Sequence, residues 1–200
     1  MENGYSIKSK PIYSLLLWDD KALFHMIIVQ GLGGMSVLKM FQIKFPKNPV
    51  IIFYSKKYMN EVDYPKLINN TYCNNILINE NDDDLFFAVE NMLPEMFMGL
   101  RIYVVGSENF IWTVSKIADK YGYDDSNIIK ELTNTLARSV YCTHCKLIMN
   151  DINTNIIKCF GCNKVLIIRE HFSRRLGAYM GVMVNAESAY DFPKVEEIFP

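Results

Sequence analysis

Over the whole chain neither sign of charge is in excess. The 200 residues carry 21 Lys and Arg against 22 Asp and Glu, a formal net charge of -1. A chain that grips nucleic acid regardless of sequence normally carries a strong basic excess, so nucleic acid is not expected as a partner. Long apolar runs are also missing. Stretches such as MIIVQGLGGM and VVGSENFIW break off well before the roughly 18 residues of a membrane span, so no membrane segment is expected. The opening MENGYSIKSK lacks the apolar heart of a secretory leader, and a cytoplasmic, reducing compartment follows as the expectation. Internal repeats and low-complexity linkers are absent. Cysteine is rare, with five in all, yet four of the five fall within residues 142–162.

What is present suits a folded core, since half of the residues are hydrophobic and 13% are aromatic. PIYSLLLW (11–18) and LFHMIIVQ (23–30) read as strands split by the turn-prone pair Asp19-Asp20. GLGGMS (31–36) is a glycine turn, and VLKMFQIKF (37–45) has helical spacing. PVIIFYS (49–55) is a strand of the buried, parallel kind. NILIN (75–79) is a short strand after a polar stretch rich in Tyr and Asn. Acids at 82–84 open a helix over 85–93, where its dipole favours them. LRIYVVGS (100–107) is a strand. Phe110, Val114, Ile117 and Tyr121 line one face of the following helix, and NIIKEL (127–132) reads as a last strand. This alternation predicts an α/β fold, a doubly wound parallel sheet over roughly residues 11–135. Such a sheet binds ligands at the carboxyl ends of its strands, here after Gln30 and after Val105. A change of pattern divides the chain into 1–138 and 139–200.

The cysteines form two C-x-x-C pairs, Cys142 with Cys145 and Cys159 with Cys162, thirteen residues apart. A tight turn aims both thiolates of such a pair at one point, and two facing turns give tetrahedral four-sulfur ligation. The intervening KLIMNDINTNIIK reads as a hairpin with Asp151-Ile152-Asn153 near its tip, which completes a zinc-ribbon pattern. Structural zinc is the expected occupant. A rubredoxin-like iron site uses the same ligands but has glycine after each pair, where this chain has Lys146 and Asn163. Iron and a pair of disulfides are the alternatives. His144 lies inside a knuckle, pointing outward, and CTHCK is not the haem-attachment motif. Four thiolates leave no open coordination position, so the metal is a staple and not a catalyst. Cys73 stands alone and reads as an unpaired, partly buried thiol.

After the cysteines comes IIREHFSRRLGAYMGVMVNAE (167–187). Arg169, His171, Arg174 and Arg175 concentrate cations there, and Gly177, Ala178 and Gly181 alternate with Leu176, Tyr179, Met180 and Met183. Small residues at this spacing admit another backbone. Either the segment docks on its own domain, or it contacts a partner subunit or an anionic cofactor through its guanidinium groups.

The C-x-x-C ribbon together with HFSRRLGAYMGVMVNAE resembles the small subunit of bacterial dimethylamine monooxygenase, the DmmA-like family. The resemblance is tightest over 140–187. It implies a hetero-oligomer with a haem-binding subunit and a flavin/iron–sulfur reductase subunit. That complex would demethylate dimethylamine to methylamine and formaldehyde with NADPH and O2. It implies no haem or flavin on this chain itself, and a contact surface including Arg169, His171, Arg174, Arg175 and Tyr179.

The first part resembles the nucleotide-binding module of ferredoxin–NADP reductase-like proteins. GLGGMSV matches in part their glycine loop, and VVGSENF their later C-G-P motif. The resemblance implies that Gly31, Gly33, Gly34, Ser36, Ser55, Lys56 and Gly106 could hold NADPH, with Lys56 and Lys57 near a 2′-phosphate. The departures are specific. Val37 replaces the loop proline, Ser107 replaces the second proline, and Val105 stands where the family has the cysteine beside the nicotinamide. Too few residues precede the glycine loop for the flavin-binding barrel of such a reductase. The module is then either a scaffold or a holder of nucleotide for a partner's flavin, and no residue is nominated as catalytic.

Overall fold

The computed structural model of the protein describes residues 9–72, 75–184 and 194–199. Two compact units are present. One is Tyr13–Leu136, and the other runs from Ala137 onward with the described residues before Tyr13.

In the first unit, five short apolar strands form the sheet; the central three, at 24–30, 50–55 and 100–106, are buried on both faces, as parallel strands sheathed by helices must be, while the two edge strands are partly exposed. The five are β1 (Phe24–Gln30), β2 (Val50–Ser55), β3 (Ile76–Asn79), β4 (Leu100–Gly106) and β5 (Ile128–Leu132). The sheet is parallel throughout, in the order β3-β2-β1-β4-β5. The direction of winding reverses between β1 and β4.

Helices α1 (Gly34–Ile43) and α2 (Tyr64–Thr71) cover one face, and α3 (Asp82–Met92) and α4 (Glu108–Lys120) the other. On the first face Val37, Met40, Phe41 and Ile68 meet Ile27, Val29, Ile52 and Tyr54. On the second, Leu85, Val89, Phe110 and Val114 meet Met26, Ile28, Phe53 and Val104. Phe53 is fully buried, and truncating such a residue to Ala costs about 3–5 kcal/mol.

Two local expectations change. Residues 11–18 bury Leu16 but form no strand. One backbone bond, Ser14 N–H to the Lys130 carbonyl, links them to β5, and the Leu16 amide donates to the Glu131 carboxylate at 2.7 Å, so no ladder develops. Conversely, the polar stretch before β3 holds α2, started by an Asp63 cap on the Lys66 amide and by Pro65 in its first turn. Cys73 lies outside the described residues.

The second unit is a sheet of β6 (Arg138–Cys142), β7 (Ile148–Ile152), β8 (Ile156–Lys158), β9 (Val165–Ser173) and β10 (Ala178–Met183), ordered β7-β6-β10-β9-β8. The hairpin expected between the cysteine pairs is not formed. β7 pairs with β6 and β8 with β9, which puts β7 and β8 on opposite edges. Each C-x-x-C pair instead turns its own hairpin. The small-residue segment is β10, inserted centrally between β6 and β9. A side chain at Gly181 would begin 2.8 Å from Val140 Cγ1, so glycine there lets β10 seat beside β6. No described helix is long and apolar enough to cross a membrane.

Candidate functional site

The two knuckles are built alike. Cys142 exchanges backbone bonds with its own turn, the Lys146 amide donating to its carbonyl at 2.9 Å and its amide donating to Leu147 at 2.8 Å. Cys159 does the same with Asn163 at 3.0 Å and Lys164 at 2.8 Å. Closing each turn puts Lys146 at φ 71° and Asn163 at φ 59°, the left-handed region where glycine is most at ease. The backbone shape is thus the one that glycine after a pair would give. The side chains of Lys146 and Asn163 therefore do not separate zinc from iron.

The four sulfurs all lie within 4.8 Å of one another, with Cys142 3.7 Å from Cys162 and Cys145 3.5 Å from Cys159. A disulfide needs about 2.0 Å, and these cysteines are free thiols. A tetrahedral ion with bonds of about 2.3 Å sets its sulfurs about 3.8 Å apart, so the cluster fits such an ion. His144 is exposed and outside the group. At Cys159 burial would raise the thiol, but the Cys162 and Gly161 amides and the neighbouring thiols outweigh it and hold it at about 7. At Cys145 the Leu147 amide favours the thiolate, but desolvation and the other three sulfurs push it up to about 12. Without a cation the crowded sulfurs cannot all lose their protons. A divalent ion removes that conflict.

The residues that the reductase resemblance assigns to a nucleotide gather at the carboxyl ends of β1, β2 and β4. Their polar groups are already bonded to the chain. Ser36 Oγ donates to Glu131 Oε1 at 2.5 Å, and Ser55 Oγ donates to Asp82 Oδ1 at 2.7 Å. Lys56 pairs with Glu80 at 2.5 Å and Lys57 with Asp82 at 3.2 Å. The Leu32 amide, at the mouth of the glycine turn, donates to Asn134 Oδ1 at 3.0 Å. Gln30, 1% exposed, donates to Asp82 at 2.7 Å and accepts from the Ser107 amide at 2.9 Å and from Asn134 Nδ2 at 3.0 Å.

The glycines serve close packing. Gly31 has φ 49°, and a side chain on it would overlap the backbone of Lys57 and Tyr58, while Tyr54 donates its hydroxyl to the Gly31 carbonyl. A side chain on Gly34 would collide with Tyr64. Gly33 lies against Val105, and Gly106 against Phe110 and Gln30. Two carboxylates, Asp82 and Glu131, and an already bonded Leu32 amide thus border this crevice. Four members of this network, Gln30, Asp82, Glu131 and Asn134, escape sequence reading. Asp82 looks like a helix-start acid, and nothing local marks Asn134, which lies 102 positions from Leu32.

In the second unit, Arg169, His171, Arg174 and Arg175 are exposed on β9 and on the turn that follows it. Tyr179 is apart from them, 4% exposed and packed edge-on against Phe172 at 4.9 Å. Its ring also carries the Arg138 guanidinium at 4.1 Å, and the same guanidinium lies 3.7 Å from the Phe199 ring and 2.7 Å from Glu170.

The sequence profile described as dimethylamine monooxygenase subunit DmmA-like, N-terminal domain, matches residues 5–128, and that of the DmmA-like C-terminal domain matches residues 139–182. A relative named heme-dependent oxidative N-demethylase delta subunit, from Ectopseudomonas mendocina (strain ymp), is 32% identical over 107 residues. That match spans 54% of this chain and 61% of the relative, less than two thirds of its length. Among solved structures, an intact type IV self-sufficient cytochrome P450 monooxygenase matches with a TM-score of 0.47 at 14% identity, over 66% of this chain and 19% of that one. A ferredoxin-NADP+ reductase from Plasmodium falciparum matches with a TM-score of 0.42 at 13% identity, over 55% of this chain and 53% of that one.

Proposed function

This chain belongs to the dimethylamine monooxygenase subunit DmmA-like family, and on that premise we propose that it is a non-haem, non-catalytic accessory subunit of an oxidative N-demethylase. The complex converts dimethylamine, O2, NADPH and a proton to methylamine, formaldehyde, NADP+ and water. One oxygen atom enters formaldehyde and the other leaves as water. The redox steps belong to a haem subunit and a flavin/iron–sulfur reductase subunit. This chain contributes assembly and electron-transfer geometry in a cytoplasmic, reducing setting.

Cys142, Cys145, Cys159 and Cys162 hold a structural zinc in the unit that begins at Ala137; the boundary expected at 138/139 becomes Leu136/Ala137, and the described residues before Tyr13 go with that second unit rather than with the parallel sheet. Arg169, His171, Arg174 and Arg175 form the partner contact, while Tyr179 supports that surface from within by seating Arg138.

The observation that carries the non-catalytic reading is the self-bonded glycine turn, where Ser36 and Ser55 already serve Glu131 and Asp82. The test is reconstitution from purified subunits. The isolated chain should contain one zinc, lack haem and flavin absorbance, and show no saturable NADPH binding. Its omission should abolish assembly or NADPH-driven demethylation. NADPH binding by the isolated chain that a Gly33→Val change removes would favour the other reading, a module that presents nucleotide to the reductase.

A further inference from the structure

At the opposite end of the parallel sheet, at the amino ends of β1 and β2, a cavity of about 240 Å3 is lined by Trp18, His25, Lys44 and Lys47 among others. His25 is 3% exposed. Its Nδ1 lies 3.0 Å from the Tyr103 hydroxyl, and that hydroxyl accepts the Asp19 amide at 3.0 Å. Burial pushes the Tyr103 hydroxyl up to about 12, so it keeps its proton. A hydroxyl that accepts from Asp19 has one proton to give, and its geometry directs that proton to Nδ1. The neutral imidazole then carries its own hydrogen on Nε2. Nε2 has no hydrogen-bond partner among the described residues, and Nδ1 is taken, so the edge left for the cavity is the one bearing Nε2–H. That donor opens into the cavity, where an entering acceptor can reach it.

The charges of the lining decide what would enter. Asp19 is paired with Arg101 at 2.5 Å, and Asp20 with Lys44 at 2.5 Å. Asn48 donates to the Ala22 carbonyl at 2.6 Å. Lys47 is exposed and has no pairing partner among the described residues. The groups left over are one N–H donor and one ammonium. Both ask for a negatively charged acceptor, while the two nearby carboxylates resist a second negative charge. Trp18, held by its indole N–H on the Met40 carbonyl at 3.1 Å and edge-on to His25 at 4.9 Å, adds an apolar wall.

We propose that this cavity binds a small organic monocarboxylate, with one carboxylate oxygen on His25 Nε2–H, its charge facing Lys47, and its apolar body against Trp18. The site is separate from the four sulfurs and from the glycine turn, and it stands whether or not the accessory-subunit reading holds.

The test is benzoate titration of the 15N-labelled full chain at neutral pH and constant ionic strength. It is read by long-range imidazole correlations, in which the three histidines report separately. A saturable shift at the His25 ring is expected, with a dissociation constant on the order of 1 mM. His144 and His171 should stay still. Lys47→Gln, at an exposed position that leaves the fold intact, should weaken binding about two- to fivefold. Acetate, which lacks the apolar body, should bind more weakly. The proposal is overturned if no saturable shift occurs, if all three histidines move alike, or if Lys47→Gln has no effect. It is equally overturned if phosphate or dimethylammonium binds more tightly than benzoate.

Discussion

The Leu32 amide and the Asn134 side chain meet at 3.0 Å across the carboxyl edge of the parallel sheet, and Asn134 Nδ2 reaches back to the Gln30 carbonyl at 3.2 Å. Asn134 itself stands at φ 70°, a conformation asparagine tolerates better than most residues. One side chain thereby satisfies the mouth of the glycine turn. Asn134→Ala should destabilise the chain by about 2–3 kcal/mol, because it orphans the Leu32 donor and leaves alanine in a left-handed backbone. Urea unfolding checks this, and a loss within error of zero would mean the bond is dispensable. Metal content should be unchanged.

Cys159→Ser should abolish metal binding and unfold the second unit. Structural zinc contributes roughly 10–16 kcal/mol of apparent folding free energy, and β8 and β9 are turned by the knuckle that Cys159 opens. Amide exchange should show lost protection over 138–183 and retained protection in β1 and β4, whose core is built from other residues. Elemental analysis gives the metal content, and the visible spectrum separates colourless zinc from coloured iron. Full protection of the second unit in a metal-free variant would contradict the staple.

Arg138 is 13% exposed at its side chain and lies between the Tyr179 and Phe199 rings while pairing with Glu170. Lysine cannot reproduce a planar cation stacked between two rings. Arg138→Lys should cost about 1–2 kcal/mol. It should also speed exchange of the Ile198 and Phe199 amides, which donate to the Asn153 carbonyl at 3.0 Å each. Unaltered exchange there would show that Arg138 does not fasten the 194–199 segment.

Arg175→Glu should leave the melting temperature unchanged and slow association with an acidic partner surface roughly tenfold at low salt, since an exposed charge acts mainly on encounter. Stopped-flow or surface binding with the reconstituted partners measures it. Equal rates at all salt concentrations would remove these cations from the interface.

As pH falls, His25 should withdraw stability first and Asp19, among other carboxylates, later. Burial lowers His25 from its ordinary 6.5, partly opposed by Asp19 and Asp20. The unfolded chain therefore takes up this proton first, and the contribution is full above 6.5 and lost as pH falls from there to the lower folded value. Asp19 is held below its ordinary 3.8 by the Lys21 amide and, against the cost of burial, by Arg101. Its contribution is present above 3.8 and lost as pH falls through the folded value. His25→Gln should remove the upper step alone, as read by urea midpoints across the range. A midpoint that stays flat between neutral and mildly acid pH in the parent would contradict a neutral buried ring.

Local pattern marked β1, β2 and β4 because each is a run of apolar side chains buried on both faces, and such a run needs no distant partner to be recognised. It marked the cysteine pairs for a similar reason, since two intervening residues suffice to make a knuckle. Even the acids at 82–84 were legible as a helix start. The partners of these elements were not. β7 and β8 are neighbours in the chain but sit on opposite edges of their sheet, because each knuckle turns its own hairpin and β10 takes the centre. Ser36 and Ser55 matched nucleotide-binding positions, yet Glu131 and Asp82, 95 and 27 residues away, accept their hydroxyl hydrogen bonds. His25 looks like any apolar-strand residue until Tyr103, 78 positions on, brings its hydroxyl to Nδ1. Periodicity and spacing act over a few residues and are written in the chain. Register and hydrogen-bond partners follow from which surfaces exclude water together, and that is settled only when distant segments meet.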